Sequence, residues 1–357
     1  ATMTRRAAAM YAIAALSVLE EPLADFAFAH PHHRSAMLAA ILSVAATYTY
    51  IGGSVPLFAF SAPTPGSGKS LLTQVASIIG TGREAAYMAQ SVKEEEESKR
   101  LFAVLLSGDP VVVLDNCDRP VGSGPLAEVL TAGQHKDRIL GVSAMAIAEV
   151  RCVFMATGNN LEYAGDLTRR VVPIDIDPQT EDPEERSGFQ IPALKPWLIE
   201  HHPRLHTAAL TILRAHLLAG LPDAPSPWGS FESWSRRIRG ALTWLDYADP
   251  KDGKRDIQAT SDGARERMTA VLSAWWVALP GLSLTVRSIL DDISPVTSSL
   301  REALSALDPR WDGQHAPNQR TIGNAMKRYR GRILGGLKLT ALEGSANNGR
   351  RWRVEHV

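Results

Sequence analysis

The residues best suited to chemistry lie in one short run, FAFSAPTPGSGKS, which covers positions 58–70. Glycines at 66 and 68 let the backbone approach an anion closely, and consecutive backbone N–H groups can then point at a phosphate. Lys69 is placed to reach the terminal phosphates of a nucleotide, and the Ser70 hydroxyl is placed to ligate Mg²⁺. The predicted phosphate-binding residues are Pro65, Gly66, Ser67, Gly68, Lys69, Ser70 and Leu71.

One position departs from the usual pattern of such a loop, G-x-x-x-x-G-K-[ST]. Pro63 stands where the first glycine is expected, while the second half of the pattern is intact. The alternative is a surface turn rich in glycine and serine that contains a lysine. The apolar strand before the loop and the amphipathic helix predicted over Leu71–Ile79 favour the phosphate-binding interpretation.

Two further apolar runs end in polar side chains. The run PVVVLDN at 110–116 predicts a buried parallel strand that brings Asp115 close to Mg²⁺, as a Walker B carboxylate does. The run RCVFMAT at 151–157 predicts a second strand, followed by Gly158 and Asn159. Ligands bind at the carboxyl ends of strands in open α/β sheets, so both side chains are candidates for the site. Asp115 could instead cap a turn, and Asn159 could serve in one.

A pair of arginines follows these strands. The segment DLTRR at 166–170 leads into a third predicted strand at 171–176 and supplies the guanidinium groups of Arg169 and Arg170. Ion pairing on the surface is the ordinary role of such residues. Their position after the other motifs, at the start of a strand, favours a place in the chemistry.

The order of these motifs resembles the AAA+ ATPases and, more narrowly, the superfamily 3-like helicase modules of phage and mobile-element primase-helicase proteins. The resemblance covers roughly residues 20–250 and is most specific over ATGNN at 156–160 through Arg170. It implies ATP and Mg²⁺ as cofactors and Asn159 as the sensor that orients the attacking water. It also implies that Arg169 or Arg170 enters the site of a neighbouring subunit, which requires a ring, usually a hexamer.

The residue after the Walker B aspartate differs from these families. Asn116 occupies a position where a carboxylate commonly activates water, and an amide can position a water but cannot take its proton. Asp118 is one replacement. Glu96 and Glu97 are the others. They belong to the acidic run of a helix predicted to end near Ser107, and the pattern favours solvated first turns of that helix over a place in the site.

Between the Walker B and sensor strands lies the segment HKDRILG at 135–141, which contains Lys136 and Arg138. In superfamily 3 helicases the corresponding interval carries a β-hairpin that projects into the ring channel. The resemblance therefore implies that Lys136 and Arg138 contact single-stranded DNA there. A solvated connection between a helix and a strand is the alternative.

Composition sets broad limits. The chain has 357 residues and a formal net charge of zero, so a nucleic-acid signal must be local. The two cysteines, Cys117 and Cys152, suit packing in a reducing compartment, which favours a cytoplasmic protein without a disulfide framework or metal cluster. No run is long enough to span a membrane. The chain opens with Ala1, and we expect a fused or associated primase or polymerase domain.

The predicted fold class is α/β: an AAA+ P-loop NTPase core, in which helices flank a parallel sheet, with N-terminal helices, a helical lid and a C-terminal winged helix. The predicted lid helices cover 194–200, 205–218 and 231–247. The predicted domains are a helical segment at 1–52, the ATPase core at 53–178, the lid at 179–257, a connecting helix at 258–280 and the winged helix at 281–357.

The last predicted domain carries a local excess of positive charge. Helices are expected at 284–292, 298–307 and 318–331, followed by strands at 337–342 and 351–354. Between 318 and 357 there are nine Lys or Arg against two Glu, which favours duplex DNA as a partner over protein docking. The predicted DNA contacts are Lys327, Arg328 and Arg330 on the third helix, and Arg350 and Arg351 on the wing.

Together these patterns predict an ATP-dependent, Mg²⁺-dependent DNA helicase of a phage or mobile element that acts as a ring. Lys69, Asp115, Asn116, Asn159, Arg169 and Arg170 form the predicted catalytic set, with Ser70 and Asp115 at the metal. Two alternatives stay open at this point. One is an AAA+ replication initiator or helicase loader that does not unwind DNA, and the other is a nucleotide-binding assembly module that does not turn over.

Overall fold

The computed structural model describes residues 4–46, 53–91, 93–139, 144–180, 182–222, 225–292, 294–308, 311, 313, 315–342 and 350–357, without the side chains of 256, 258–264 and 328. The chain forms two compact units, Ala1–Arg255 and Asp256–Val357.

The first unit is built on a parallel sheet of five strands. The order across it is β2-β3-β6-β1-β7, so β6 lies between β1, which precedes the glycine-rich loop, and β3, which ends at Asp115. A separate antiparallel pair is formed by β4 and β5. The strands of this unit are β1 Leu57–Ala62, β2 Ala86–Ala89, β3 Val111–Asp115, β4 Gln134–Arg138, β5 Met145–Glu149, β6 Val153–Asn159 and β7 Val171–Asp175.

Helices cover this sheet. The helices of the unit are α1 Arg5–Glu20, α2 Pro31–Ala46, α3 Lys69–Thr81, α4 Glu94–Ser107, α5 Gly124–Val129, α6 Leu194–Leu218, α7 Glu232–Trp234 and α8 Gly240–Trp244, with a π-helical turn at Ser235–Arg239 between the last two. The mixed α/β architecture with a parallel sheet flanked by helices agrees with the prediction.

The core of the unit lies between the sheet and its helices. The side chains of β1, β3 and β6 form continuous apolar runs because these strands are buried on both faces. Trp234 packs its ring edge against Phe58, with 6.2 Å between centroids, and donates its indole N–H to Ser43 Oγ at 2.8 Å. Trp234 is therefore a core residue whose polar atom is satisfied.

Three details of the first unit differ from the sequence prediction. A single helix, α6, replaces the two helices expected on either side of Pro203. Leu198 and Leu205 are both buried in the same core, so packing on each side of the proline offsets its cost of about 3 kcal/mol. The prediction also missed β2 and α5, because both are too short to show a clear period.

The second unit contains helices and an antiparallel sheet with the order β8-β11-β10-β9. Its core includes Trp275, Ile322, Leu339 and Trp352. The elements are α9 Lys254–Ala278, which begins in the first unit, then β8 Leu284–Thr285, α10 Val286–Leu290, α11 Ser298–Ser305, α12 Gln319–Tyr329, β9 Ile333–Leu334, β10 Leu337–Leu342 and β11 Arg351–His356.

Two predicted helix boundaries in this part of the chain are wrong. Helix α9 begins at Lys254, before the connecting helix expected at 258–280. The helix predicted to start at Leu284 starts at Val286, and Leu284 belongs to β8. Thr285 is the N-cap of α10 and forms a capping box with Ser288. The residues that join β10 to β11, 343–349, lie outside the described residues. Within the part of the chain that is described, no helix combines the length and apolar character needed to cross a membrane.

A buried ion pair anchors the last segment of the first unit. The Arg239 side chain is 1% exposed, and its Nε donates to Asp249 Oδ1 at 2.8 Å. Burial raises the pKa of the Asp249 carboxyl, but the bonds from Arg239 and from the Lys251 backbone outweigh it and leave that pKa below its ordinary value. A lowered pKa stabilises the fold above the ordinary pKa, and this contribution is lost as the pH falls through the lowered value.

We predict that Asp249→Asn lowers the free energy of unfolding by about 3–5 kcal/mol at neutral pH, because it leaves the Arg239 charge buried without a carboxylate. Urea denaturation of the variant and of the unchanged chain measures the difference. The double variant Arg239→Met, Asp249→Asn should recover part of the loss. The gap between the single variant and the unchanged chain should narrow in acid, and a gap that is constant with pH would contradict this account.

Candidate phosphate-binding site

The glycine-rich loop connects β1 to α3 at the carboxyl edge of the sheet. Gly66 and Gly68 have φ values of 72° and 91°, which are favourable only for glycine. Helix α3 begins at Lys69, and among the described residues no side chain caps its N-terminus. The first backbone N–H groups of the helix are therefore available to an anion, and the helix dipole favours one.

Hydrogen bonds within the loop hold its shape although Pro63 replaces the usual first glycine. Ser67 Oγ donates to the Thr64 carbonyl at 2.6 Å, and Lys69 Nζ donates to the same carbonyl at 2.9 Å. Burial lowers the pKa of Lys69, and the charge of Asp115 opposes this effect in part. The ammonium group is thus partly desolvated beside the loop, where a phosphate would be a stronger partner than a carbonyl.

Ser70 and Asp115 are in contact, although β6 lies between the strands β1 and β3 that position them. Ser70 Oγ donates to Asp115 Oδ1 at 3.1 Å, so the structure brings together the two residues predicted to hold the metal. Thr157 Oγ1 on β6 donates to the same oxygen at 2.6 Å and accepts the backbone N–H of Asn116 at 3.0 Å. A hydroxyl and a carboxylate side by side form a donor set suited to a hard cation such as Mg²⁺.

Thr157 was missed by the sequence reasoning. It is buried, with 2% exposure, and one hydroxyl ties the carboxylate of β3 to the backbone that follows it. A signal was present, because Thr157 is a polar residue in an otherwise apolar strand. It also stands two positions before Asn159, and residues two apart in a strand point to the same face.

Asn159 is the last residue of β6 and lies level with Ala62 at the end of β1. Its side chain is exposed. The chain then turns sharply, because Asn160 has a φ of 47° and donates its N–H to the Ala62 carbonyl at 3.1 Å. Asn159 is therefore at the carboxyl end of the sheet strands, where the loop begins.

The structure separates the candidates for the base that Asn116 cannot supply. Asp118 is exposed and pairs with Arg119 at 3.2 Å, and Glu96 pairs with Arg100 at 2.9 Å. Glu97 is 7% exposed, and burial raises its pKa even though Ser123 bonds to it. Burial, with smaller effects from the charges of Asp115, Asp118 and Glu97, raises the pKa of the Cys117 thiol to about 12, which places Glu97 near the turn after Asp115. Glu97 has the environment of a proton acceptor, whereas Glu96 belongs to the solvated face of α4.

Arg169 and Arg170 lie at the amino-terminal ends of the strands, whereas the loop lies at their carboxyl ends. The Arg170 carbonyl accepts the N–H of Leu57, the first residue of β1, whereas the loop follows the last residue of that strand. At about 3.3 Å per residue this separation is about 20 Å, so neither arginine can reach its own loop. Arg170 is 19% exposed and bonds to the Ala127 carbonyl and Asp166, while Arg169 is 68% exposed and pairs with Asp166.

The pair β4–β5 places Lys136 opposite Ile147 and Arg138 opposite Met145. All four side chains are exposed. Ser98 Oγ on α4 donates to Asp137 Oδ2 at 2.9 Å and attaches the pair to the core. The residues that join the two strands, 140–143, lie outside the described residues.

In the second unit, Lys327 and Arg330 are exposed. Helix α12 ends at Tyr329, so Arg330 lies just beyond the helix. The prediction that Arg330 lies on this helix is wrong. The side chain of Arg328 lies outside the described residues. Arg351 Nη2 donates to the Ser283 carbonyl at 2.7 Å, and the Arg350 guanidinium lies 5.9 Å from the Trp352 ring centroid.

Two residues that the sequence did not suggest lie against the loop. The Glu184 carboxylate contacts Gly66, and the Phe26 ring lies 3.0 Å from the point where a Cβ on Gly68 would stand. Phe26 belongs to the segment between α1 and α2, which lies beside the end of β7, because Phe28 forms a bridge with Ile176. Neither contact has a local sequence signal, because each joins segments far apart in the chain.

Comparisons with known proteins give limited information. No protein-family model and no curated protein matches this chain. Among solved structures, it is similar to the A form apo structure of the NrS-1 C-terminal region, with 10% identity and a TM-score of 0.39, covering 92% of this chain and 76% of that one. It is also similar to JCV Helicase bound to a thiazolopyridine acetamide, with 14% identity and a TM-score of 0.28, covering 68% and 69%. Likeness at this level carries no argument about function.

We predict that Thr157→Val lowers Mg²⁺-dependent ATP turnover by about tenfold, because it removes a hydrogen bond to a carboxylate and frees Asp115 to rotate. The apparent Mg²⁺ requirement should rise at the same time. Thr157→Ser, which keeps the hydroxyl, is the matched control and should retain turnover. Equal losses in both variants, without a change in Mg²⁺ dependence, would reduce Thr157 to a packing residue.

Proposed function

We propose that the chain is an ATP-dependent DNA helicase or replication ATPase of a phage or mobile element that works as a ring. The observation that supports this most directly is the 3.1 Å contact between Ser70 Oγ and Asp115 Oδ1 beside the N-terminus of α3. This contact joins the Walker A serine to the Walker B aspartate, which are the two residues that the AAA+ resemblance implies at the metal.

In this proposal the loop N–H groups and Lys69 bind the β- and γ-phosphates. Ser70 and Asp115 would hold Mg²⁺, which supplies charge neutralisation on the phosphates when bound. Asn159 orients the attacking water from the end of β6. Glu97 accepts the proton, because its raised pKa makes it a better base than an exposed carboxylate.

The position of Arg169 supports action between subunits. It is exposed at the edge of the sheet about 20 Å from its own loop, so any phosphate that it contacts must be held by another copy. Arg170 is partly buried by bonds to Ala127 and Asp166. We therefore assign the trans role to Arg169, and a ring, most simply a hexamer, supplies the geometry.

Two surfaces are proposed for DNA. Lys136 and Arg138 on β4, with Ile147 and Met145 beside them, offer cations and apolar side chains to a single strand in the ring channel. In the second unit, α10, α11 and α12 with the β10–β11 pair support a winged-helix interpretation, in which Lys327 and Arg330 contact duplex DNA. The helices of 179–257 would form the lid.

A second candidate function is a nucleotide-binding assembly module that does not turn over. Asn116 favours it, because the position after Asp115 carries no carboxylate. ATP turnover with and without single-stranded DNA separates this candidate from the helicase. Unwinding of a forked duplex then separates the helicase from an initiator or loader.

We predict that Lys69→Ala abolishes ATP turnover and weakens nucleotide binding, because it removes the loop's own cation from the phosphates. Asp115→Ala should retain some nucleotide binding while losing Mg²⁺-dependent hydrolysis. Phosphate release and fluorescent-nucleotide titration measure the two effects. Lys195→Ala, an exposed lysine paired with Glu84, is the control. Undiminished turnover in Lys69→Ala would reject the ATP site.

The exposed cations of the second unit lead to a separate prediction. Lys327→Glu with Arg330→Glu should weaken duplex binding and reduce the log–log salt slope by about two, since each lost phosphate contact removes about one. ATP binding should not change. Arg287→Glu, an exposed arginine of the same unit that pairs with Asp291, is the control. An unchanged affinity and slope would assign this surface to protein docking.

A further inference from the structure

Two lysine ammonium groups lie over one buried tryptophan of the first unit, and the indole of that tryptophan bonds to the backbone of Arg169. Trp228 is 4% exposed, and its indole N–H donates to the Arg169 carbonyl at 2.9 Å. Lys254 Nζ lies 5.1 Å from the centroid of the Trp228 ring and Lys251 Nζ lies 5.9 Å from it. Arg169, Lys251 and Lys254 are called the cation cluster below.

The platform beneath these cations is rigid. The Trp228 ring packs against Phe231 and Trp234, with centroids 5.5 and 5.9 Å apart. Asp249 is held by the buried Arg239 and accepts the Lys251 backbone N–H at 2.9 Å. The positions of the lysines therefore follow from packing rather than from chance contact on the surface.

Among the described residues, the charges of the two lysines are not neutralised. Asp166 pairs with Arg169 and Arg170, and Asp249 pairs with Arg239. Within the described part of the chain, no carboxylate lies within salt-bridge distance of the ammonium groups of Lys251 or Lys254. Burial lowers the pKa of Lys254, and repulsion from Lys251 and Arg169 lowers it further. A multivalent anion would remove this repulsion and take the place of the missing carboxylates.

The anion cannot be the nucleotide bound by the same copy. Arg169 precedes β7 and lies beside the start of β1, whereas the phosphate-binding loop follows the end of β1. A phosphate at the cation cluster must come from another molecule.

We propose that Lys251 and Lys254 act with Arg169 as a trans site for the triphosphate of a nucleotide bound by a second copy of this chain. This inference rests on the proposed function and extends it from one arginine to three cations. A nucleotide triphosphate fits because it concentrates several negative charges in the span of a few ångströms. The phosphate backbone of DNA shares that chemistry, and the experiment separates the two sources.

The test uses Lys251→Gln with Lys254→Gln, which keeps the length of the side chains and removes both charges. Turnover at saturating ATP should fall by about tenfold to a hundredfold, the range for charged hydrogen bonds. ATP affinity measured on dilute, unassembled protein should stay the same, because the loop of each copy is intact. Lys195→Gln is the control and should match the unchanged chain.

Mixed assemblies decide whether the effect crosses between copies. The double variant and Lys69→Ala, carrying different tags, are co-expressed and purified through both tags. Some interfaces then pair an intact loop with an intact cation cluster, so turnover should exceed that of either parent. No gain in doubly purified assemblies, or unchanged turnover in the double variant alone, would overturn the inference.

DNA binding by the double variant separates the other source of phosphate. Its affinity and salt slope should match those of the unchanged chain, and a slope reduced by about two would assign both lysines to DNA and overturn the inference. Absence of ATP turnover in the unchanged chain would instead reject the proposed function, and with it the partner's nucleotide as the occupant. Turnover in the unchanged chain with no effect of the lysines rejects the inference alone.

Discussion

The bond from Thr157 to Asp115 is the interaction on which the site depends. Since β6 separates β1 from β3, the hydroxyl of Ser70 and the carboxylate of Asp115 belong to elements that are not neighbours in the sheet. Thr157 stands on the strand between them and fixes one carboxylate oxygen at 2.6 Å, the same oxygen that Ser70 contacts. The register of β6 therefore sets the geometry of the candidate metal site and also places Asn159 at its edge.

Much of this arrangement was predictable because the strands that carry it are buried on both faces. A strand of that kind appears as an unbroken apolar run, and the polar residue at its end is then easy to assign to the sheet edge. Asp115 and Asn159 could be placed in this way. Glu184 and Phe26 could not, because their contacts with the loop depend on tertiary packing between distant segments. Pro203 shows the same limit, since burial of Leu198 and Leu205 overrides a local helix-breaking signal.

The environment of Glu97 shows how burial can compensate for a change in a motif. A carboxylate directly after Asp115 would share the turn with another negative charge, whereas Glu97 reaches that region from α4. Burial raises its pKa, and the hydrogen bond from Ser123 limits the rise. In the proposed function, the base would therefore lie on helix α4 and not directly after β3. The acidic run of four glutamates concealed this, because only one of them turns inward.

The sheet separates its two charged edges. Groups that would bind phosphate in the same copy follow the carboxyl ends of the strands, while Arg169 precedes β7 at the amino end. A rigid parallel sheet cannot bend far enough to bring these edges together. Any reaction that needs both must therefore join two copies, and its rate then depends on assembly as well as on nucleotide. In the proposed function, coupling between copies would follow from the length of β1 and would not require a separate regulatory element.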